Sequence, residues 1–312
     1  MNPVAQKPAT EYCLDLRELI DLDGFAQDPA AILLALLDAP SFSECRRLYV
    51  GSSFCPQSLF HSRFFLDSVL GLCCKRSFRA TLSVPIPAQR FLERQSAFVE
   101  NLLAEYCDVI DEVVVNDLGT LARLSTLIHN AEEASPYSGL GLVIGRLLNK
   151  DARDPRCDEL SFARRMPNIL QPGYGAQSML ERMIATSSFW SEEHERYENA
   201  LVGVEFDSVC EQLDLTQLPQ GLLPALNANL CYMSTGQICE FASIGLAAQA
   251  SFRPNAACAG QCAKTCVAYT GASGVEFFKL GRSIFFEPRW QTELLGATSQ
   301  RCIVSVLKEV LC

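Results

Sequence analysis

Fifteen cysteines in 312 residues are the first chemistry-bearing feature of this chain. The densest run lies between Cys231 and Cys266. It reads C-Y-M-S-T-G-Q-I-C and then, after a gap, C-A-G-Q-C-A-K-T-C. Cys258, Cys262 and Cys266 recur at i, i+4 and i+8. On a helix that spacing puts all three on one side, with neighbouring Cβ atoms about 5–6 Å apart. Thiolates are soft ligands that a metal holds deprotonated. Four of them complete a [4Fe–4S] cluster or a structural zinc site. The small residues around them (Ala256, Ala257, Ala259, Gly260, Ala263) suit a tight helix contact with inert thiols equally well. They also let backbone approach a cluster closely, and metal is the expected reading. One compact group with scattered single cysteines points to iron–sulfur rather than zinc, whose sites usually show two close pairs.

Other polar residues sit where an α/β fold would expose them. Asn116 and Asp117 directly follow the apolar run Glu112–Val115. At the end of a barrel strand that is a catalytic position, and it is equally the N-cap of a following helix. Arg146, Lys150, Arg153 and Arg156 follow the run 141–144 and could hold a small dicarboxylate or phosphate, with Arg146 the first choice. Asp151, Asp154, Asp158 and Glu159 offer the alternative of a salt-bridged surface loop. His61, His129 and His194 show neither metal nor triad spacing. The sequence contains no G-x-S-x-G elbow, H-E-x-x-H or P-loop.

The elements that must position these residues read as β/α alternation. Short apolar runs at 47–50, 80–84, 112–115, 141–144, 201–206 and 225–232 predict strands, and 277–280 with 283–286 predict a pair joined at Gly281. Helices are predicted at 30–37 behind Pro29, and at 60–72, 91–106 and 118–128. Strands buried on both faces and separated by helices give a parallel sheet. With no glycine-rich phosphate loop after the first strand, the expected fold class is α/β, a (β/α) TIM-type barrel, complete or irregular. Residues 1–25 read as an N-terminal extension around a short helix. Residues 26–312 read as one barrel domain with a cysteine-rich segment over 231–269, and the Pro/Gly-rich stretch 168–176 as a lid or joint. Hydrophobic residues at 49% supply a sizeable core. A net charge of −10 without a basic block argues against nucleic acid as the main partner. The first ten residues lack the apolar region of a secretory signal, and 30–37 is too short to span a bilayer, so a cytoplasmic protein without a transmembrane segment is expected.

Three patches resemble the collagenase-like peptidase family (U-thirty-two), and within it the iron–sulfur branch of ubiquinone biosynthesis, the UbiU/UbiV pair. They are LYVGSSFC at 48–55, VVVNDLGTL at 113–121 with VIGRLLNKDARDPR at 143–156, and Thr235–Cys239 with CAKTCVAY at 262–269. The resemblance implies cluster ligands at Cys55, Cys239, Cys262 and Cys266. The spacing of the wider family offers a rival set, Cys231, Cys239, Cys258 and Cys262, and the two remain open. It further implies oxygen-independent hydroxylation, or a related modification, of a quinone-like or aromatic small molecule, in a heterodimer with a paralogous partner. A hydrolase or a non-catalytic, metal-stabilised subunit are the alternative roles. On a barrel, Cys55 after the first strand and Cys239 after a late one would meet at the closing seam.

Overall fold

The computed structural model describes residues 9–18, 28–148, 200–208, 212–214, 221–236, 238–253, 258, 266–271, 274–288, 293–295 and 299–306. Eight parallel strands close into a barrel. In chain order they are β1 (Ala9–Asp15), β2 (Arg47–Gly51), β3 (Arg79–Val84), β4 (Ile110–Val115), β5 (Gly141–Ile144), β6 (Leu201–Asp207), β8 (Leu223–Asn227) and β14 (Ser299–Ser305), with β14 pairing back to β1. Helices α1 (Pro29–Leu37), α2 (Pro56–His61), α3 (Arg63–Arg76), α4 (Leu92–Glu105) and α5 (Leu118–His129) lie between the first five strands. This is the expected TIM-type barrel. β7 (Gln212–Asp214) pairs in parallel with β13 (Glu293–Leu295) in a separate two-stranded sheet. No helix among the described residues is long and apolar enough to cross a membrane.

Between β8 and β14 the chain builds a second layer. β9 (Cys231–Thr235), β10 (Cys266–Thr270), β11 (Glu276–Leu280) and β12 (Ser283–Phe286) form an antiparallel sheet in the order β10-β11-β12-β9. The predicted pair joined at Gly281 is therefore a hairpin, and it belongs to this sheet rather than to the barrel. The strand expected over 225–232 is two strands in different sheets. Asn229 ends the first by exchanging bonds with Ser305: its Nδ2 donates to Ser305 O at 2.7 Å and its Oδ1 accepts from Ser305 N at 2.7 Å. The helix expected over 60–72 is likewise two helices, separated at Ser62, whose hydroxyl donates back to Leu59 O at 2.5 Å.

The expectation of a helical extension over residues 1–25 is corrected, because Ala9–Asp15 is a barrel strand. Its inward positions are Glu11, Cys13 and Asp15, so charges face the barrel axis and interrupt the continuous apolar run expected of a strand buried on both faces, while Leu14 packs outward into the larger core. β14, with Arg301, Ile303 and Ser305, escaped detection for the same reason. The barrel interior is consequently layered. Cys13, Tyr49, Val114, Val143, Ala225 and Ile303 form an apolar middle, while the larger core packs the outer strand faces against the helices. Each fully buried Leu or Val there contributes about 1.5–3 kcal/mol.

Below the apolar layer, Arg301 donates to Glu112 Oε1 at 2.9 Å, Glu112 Oε2 at 2.6 Å and Glu11 Oε2 at 2.7 Å, and Arg47 donates to Glu11 Oε1 at 2.8 Å. Arg47 also meets Asp111. Burial raises the Glu11 carboxyl, but the charges and hydrogen bonds of Arg301 and Arg47 outweigh it and hold the group below its ordinary 4.5. A depressed carboxyl stabilises the fold above its unfolded value and loses that contribution as pH falls. Urea stability is thus expected to drop as pH falls below 4.5, and Glu11→Gln to flatten that slope. Gly51 is a second sensitive point: its φ is +92°, and a Cβ there would sit 2.4 Å from Ser83 O. Gly51→Ala is expected to cost at least about 2 kcal/mol in thermal or urea unfolding.

Candidate functional site

The C-terminal ends of the strands converge on Arg17, which is buried. Its Nε and Nη2 donate to Asp15 Oδ1 at 2.8 Å and Oδ2 at 2.9 Å, Nη1 to Glu205 Oε1 at 2.7 Å, and Nη2 to Asn227 Oδ1 at 2.9 Å. Burial works against its charge, yet the flanking Asp15 and Glu205 carboxylates raise its pKa further. The guanidinium stacks 4.8 Å from the centroid of Tyr49. Ser53 Oγ and Ser83 Oγ, 2.9 Å apart, continue the polar ring. Glu18 follows with φ +66°, a strained conformation for a non-glycine residue. Its carboxylate accepts from Ser53 N at 2.7 Å and from Ser52 Oγ at 2.9 Å. Burial raises its pKa against those bonds. Asp15, Arg17, Glu18, Glu205, Asp207 and Asn227 were not singled out from sequence. The legible signal was two carboxylates at alternate positions inside the apolar run LVGVEFD.

Arg146 reaches the same mouth. Its Nη1 donates to Asp207 Oδ1 at 3.0 Å and to Leu230 O at 3.2 Å. The guanidinium carbon lies 5.4 Å from the Phe54 centroid and 5.9 Å from that of Phe285. Its Nε is buried without a hydrogen-bond partner among the described residues. Arg153 and Arg156, with Lys150, lie outside the described residues. Asn116 is a bracket for the rim: Nδ2 donates to Val84 O at 2.9 Å, and Oδ1 accepts from Leu147 N at 3.4 Å. Asp117 caps α5, accepting from Thr120 N at 2.9 Å and from Thr120 Oγ1 at 2.6 Å. Of its two sequence-level roles, the cap is the one these contacts show.

The second sheet covers this mouth from the β2 side. Phe54 packs on Tyr232 and Phe285 at centroid distances of 5.0 and 5.3 Å. Arg282, in the β11–β12 turn, donates through Nε to Phe54 O at 2.9 Å and also through Nη2. Register then orders the cysteines. Cys266 pairs with Leu280, Leu280 with Ser283, and Ser283 with Thr235, while Gly236 N donates to Arg282 O at 3.2 Å. The start of β10, the Arg282 turn and the end of β9, from which the chain runs on to Cys239, thus share one end of the sheet. That end is fastened to the carbonyl preceding Cys55. Cys55 follows β2 and stands at the N-cap of α2. Burial pushes its thiol up to about 11, against the nearby amides of Ser58 and Gln57 and the Arg282 charge.

Cys231 lies at the other end of β9, paired with Phe286, and its thiol donates to Ser208 O at 3.3 Å. Thr235 is four steps further along the strand, about 13 Å away at the usual rise. Cys258 O lies 3.0 Å from His61 Nε2, at the far end of α2 from Cys55. Cys262 and the Cys266 side chain lie outside the described residues. The expected helix cannot carry all three cysteines on one face, because Cys266 opens a strand. Nor does the barrel seam bring Cys55 and Cys239 together. The seam is β1–β14, Cys55 follows the second strand, and Cys239 follows a strand outside the barrel. Among the described residues, no group of three or more His, Cys, Asp or Glu side chains could hold a metal ion.

No family model, curated protein or solved structure matches the chain.

Arg282→Leu is expected to strip the Phe54 carbonyl of its donors, at about 1–3 kcal/mol. Amide exchange in β9 and β12 should speed up about tenfold or more, while β3 to β5 keep their protection.

Proposed function

We propose that this chain is an iron–sulfur protein in which Cys55, Cys239, Cys262 and Cys266 hold a [4Fe–4S] cluster beside the mouth of the barrel. Its proposed work is oxygen-independent hydroxylation, or a related modification, of a quinone-like or aromatic small molecule, in the cytoplasm and with a paralogous partner subunit. The observation that carries the ligand set is the register of the four-stranded sheet. It brings the backbone of Cys266 and the chain leading to Cys239 to one end, and Arg282 ties that end to the loop bearing Cys55. The rival set needs Cys231, which sits at the opposite end with its thiol bonded to Ser208 O. The reaction class and the partner rest on the resemblance of the three sequence patches.

Thiol donors are the chemistry such a group requires. Thiols suit iron, and a thiol raised by burial to about 11 is neutral at pH 7 unless a metal ion holds it as thiolate. When bound, the cluster would supply electron transfer or oxygen-atom activation, which side chains supply poorly. The protein's own groups would orient and shield the substrate. Arg146 offers its unengaged Nε to a substrate oxygen, and the Phe54 and Phe285 rings form an apolar wall beside it.

Anaerobic purification or reconstitution tests the reading. About four irons and four sulfides per chain are expected, with a brown thiolate-to-iron absorption. Cys55→Ala, Cys239→Ala, Cys262→Ala and Cys266→Ala should each lose most of the iron, and Cys231→Ala should keep it. A colourless protein with one zinc per chain, or loss of iron in Cys231→Ala with retention in Cys266→Ala, overturns the proposal. Arg146→Met is expected to keep the cluster and to bind a water-soluble quinol about tenfold more weakly, measured by calorimetry.

A further inference from the structure

The antiparallel sheet turns one face inward, where Tyr232, Phe278, Leu280 and Phe285 join the core. By alternation its other face should be polar, as in sheets that meet water on one side. Here it is apolar instead. Register sets Val267 and Tyr269 of β10 beside Lys279 and Phe277 of β11, and these beside Ile284 and Phe286 of β12. Tyr269 stacks on Phe277 at a centroid distance of 5.2 Å, and Phe277 meets Phe286 at 6.4 Å. Val267 and Tyr269 are each 43% exposed. Lys279, the charged strand residue on this face, is neutralised by Glu240.

That ion pair brings residue 240 to the edge of the face, and the stretch that follows, 241–252, contains no charge. In it Ile244 and Phe252 are 60% exposed and Leu246 is 47% exposed. Ser243 Oγ accepts from Phe252 N at 2.7 Å, which folds the stretch on itself, and Phe252 sits at φ +55°. Side chains of this size at such exposure present roughly 100 Å² each, or about 500 Å² for the five. A standard interface takes about 800 Å² from each partner and is a little over half apolar. The apolar area is therefore enough for a stable pair.

We infer that this face pairs with the same face of a second copy of the chain, in a two-fold symmetric dimer. Two-fold symmetry sets a patch against itself, so the patch must be self-complementary. A neutral apolar face meets that condition. An acidic patch, which a chain of net charge −10 has in excess, repels its own copy. A lipid surface is the weaker fit, because a membrane-seeking patch is rich in Lys and Arg at its polar side, and the uncharged stretch ends in Arg253 alone. The pairing does not rest on the cluster, and the paralogous subunit of the preceding reading would take another face.

Sedimentation of the full chain under a thiol reductant is the test. Twice the 34.4 kDa of one chain is expected at micromolar concentration. Tyr269→Glu in the sheet and Ile244→Glu in the uncharged stretch should each weaken the pair about thirtyfold or more, with an unchanged circular dichroism spectrum. Phe64→Glu, at an exposed apolar position on α3, should leave the pair intact. Raising the salt concentration should tighten the pair by screening two like-charged chains. A monomer throughout the micromolar range overturns the second copy as occupant. A dimer that survives both face variants, or that Phe64→Glu breaks, overturns the location. A pair that salt loosens overturns the neutral contact. A monomeric chain that instead co-sediments with phosphatidylcholine–phosphatidylglycerol vesicles, and releases them in Tyr269→Glu, assigns the face to a lipid surface and overturns the dimer.

Discussion

The upper half of this barrel depends on burying one guanidinium. Arg17 is enclosed where β1, β2, β6 and β8 end, and it carries a charge that it cannot shed. A buried charge without partners costs several kcal/mol. Asp15, Glu205, Asn227 and Ser53 must therefore come from four different segments to meet it. Such a cluster is weak evidence for raw stability, since well-packed apolar residues often do as well. Its stronger effect is on register. A slip of one residue in β1 or β6 would turn Asp15 or Glu205 to the outer face, among the helices. The Arg47–Arg301–Glu11–Glu112 group imposes the same condition at the lower end. Between these two polar layers, the apolar middle around Tyr49 fills the centre.

The second sheet is held to this frame through charge and rings together. Arg146 spans from the end of β5 to Asp207 on β6 and to Leu230, just before β9, with Phe54 and Phe285 on its flanks. Asp207 accepts from Arg146 with one oxygen and from Tyr232 N, at 3.3 Å, with the other. Arg282 makes the complementary attachment from the sheet to the β2–α2 loop. The sheet therefore grips both sides of the mouth, and any group held at its end is held relative to the strand ends beneath.

The six strands with apolar runs were legible because period and length agree with burial on both faces. The two that close the barrel were not. In β1 and β14 the inward residues include Glu11, Asp15 and Arg301, so the sequence looks like a polar loop until the partners are known. The Asp117 cap was readable from its place between an apolar strand and a helix. The i, i+4, i+8 cysteines were read as a helix because spacing alone is blind to the β10 pairing that begins at Cys266. Cys55 entered through resemblance, and its nearness to the second sheet rests on Arg282, which no local pattern marks. Glu18 left no trace in the sequence, since its strained φ arises only when Ser52 and Ser53 are beside it.

The β1–β14 pairing joins residues 290 positions apart, Thr10 with Gln300 for instance. During synthesis, β1 waits with one edge open until β14 has emerged. Through that interval the lower layer holds Glu11, Asp111 and Glu112 against Arg47 and Arg79, an excess of one negative charge in a half-formed cup. Arg301 arrives with the last strand and supplies the missing cation. The polar residues that hide β1 from sequence reading also make its open edge a poor template for stray strands. Closure of the barrel is thus tied to neutralising its floor, and a nascent chain lacking β14 is biased toward staying open.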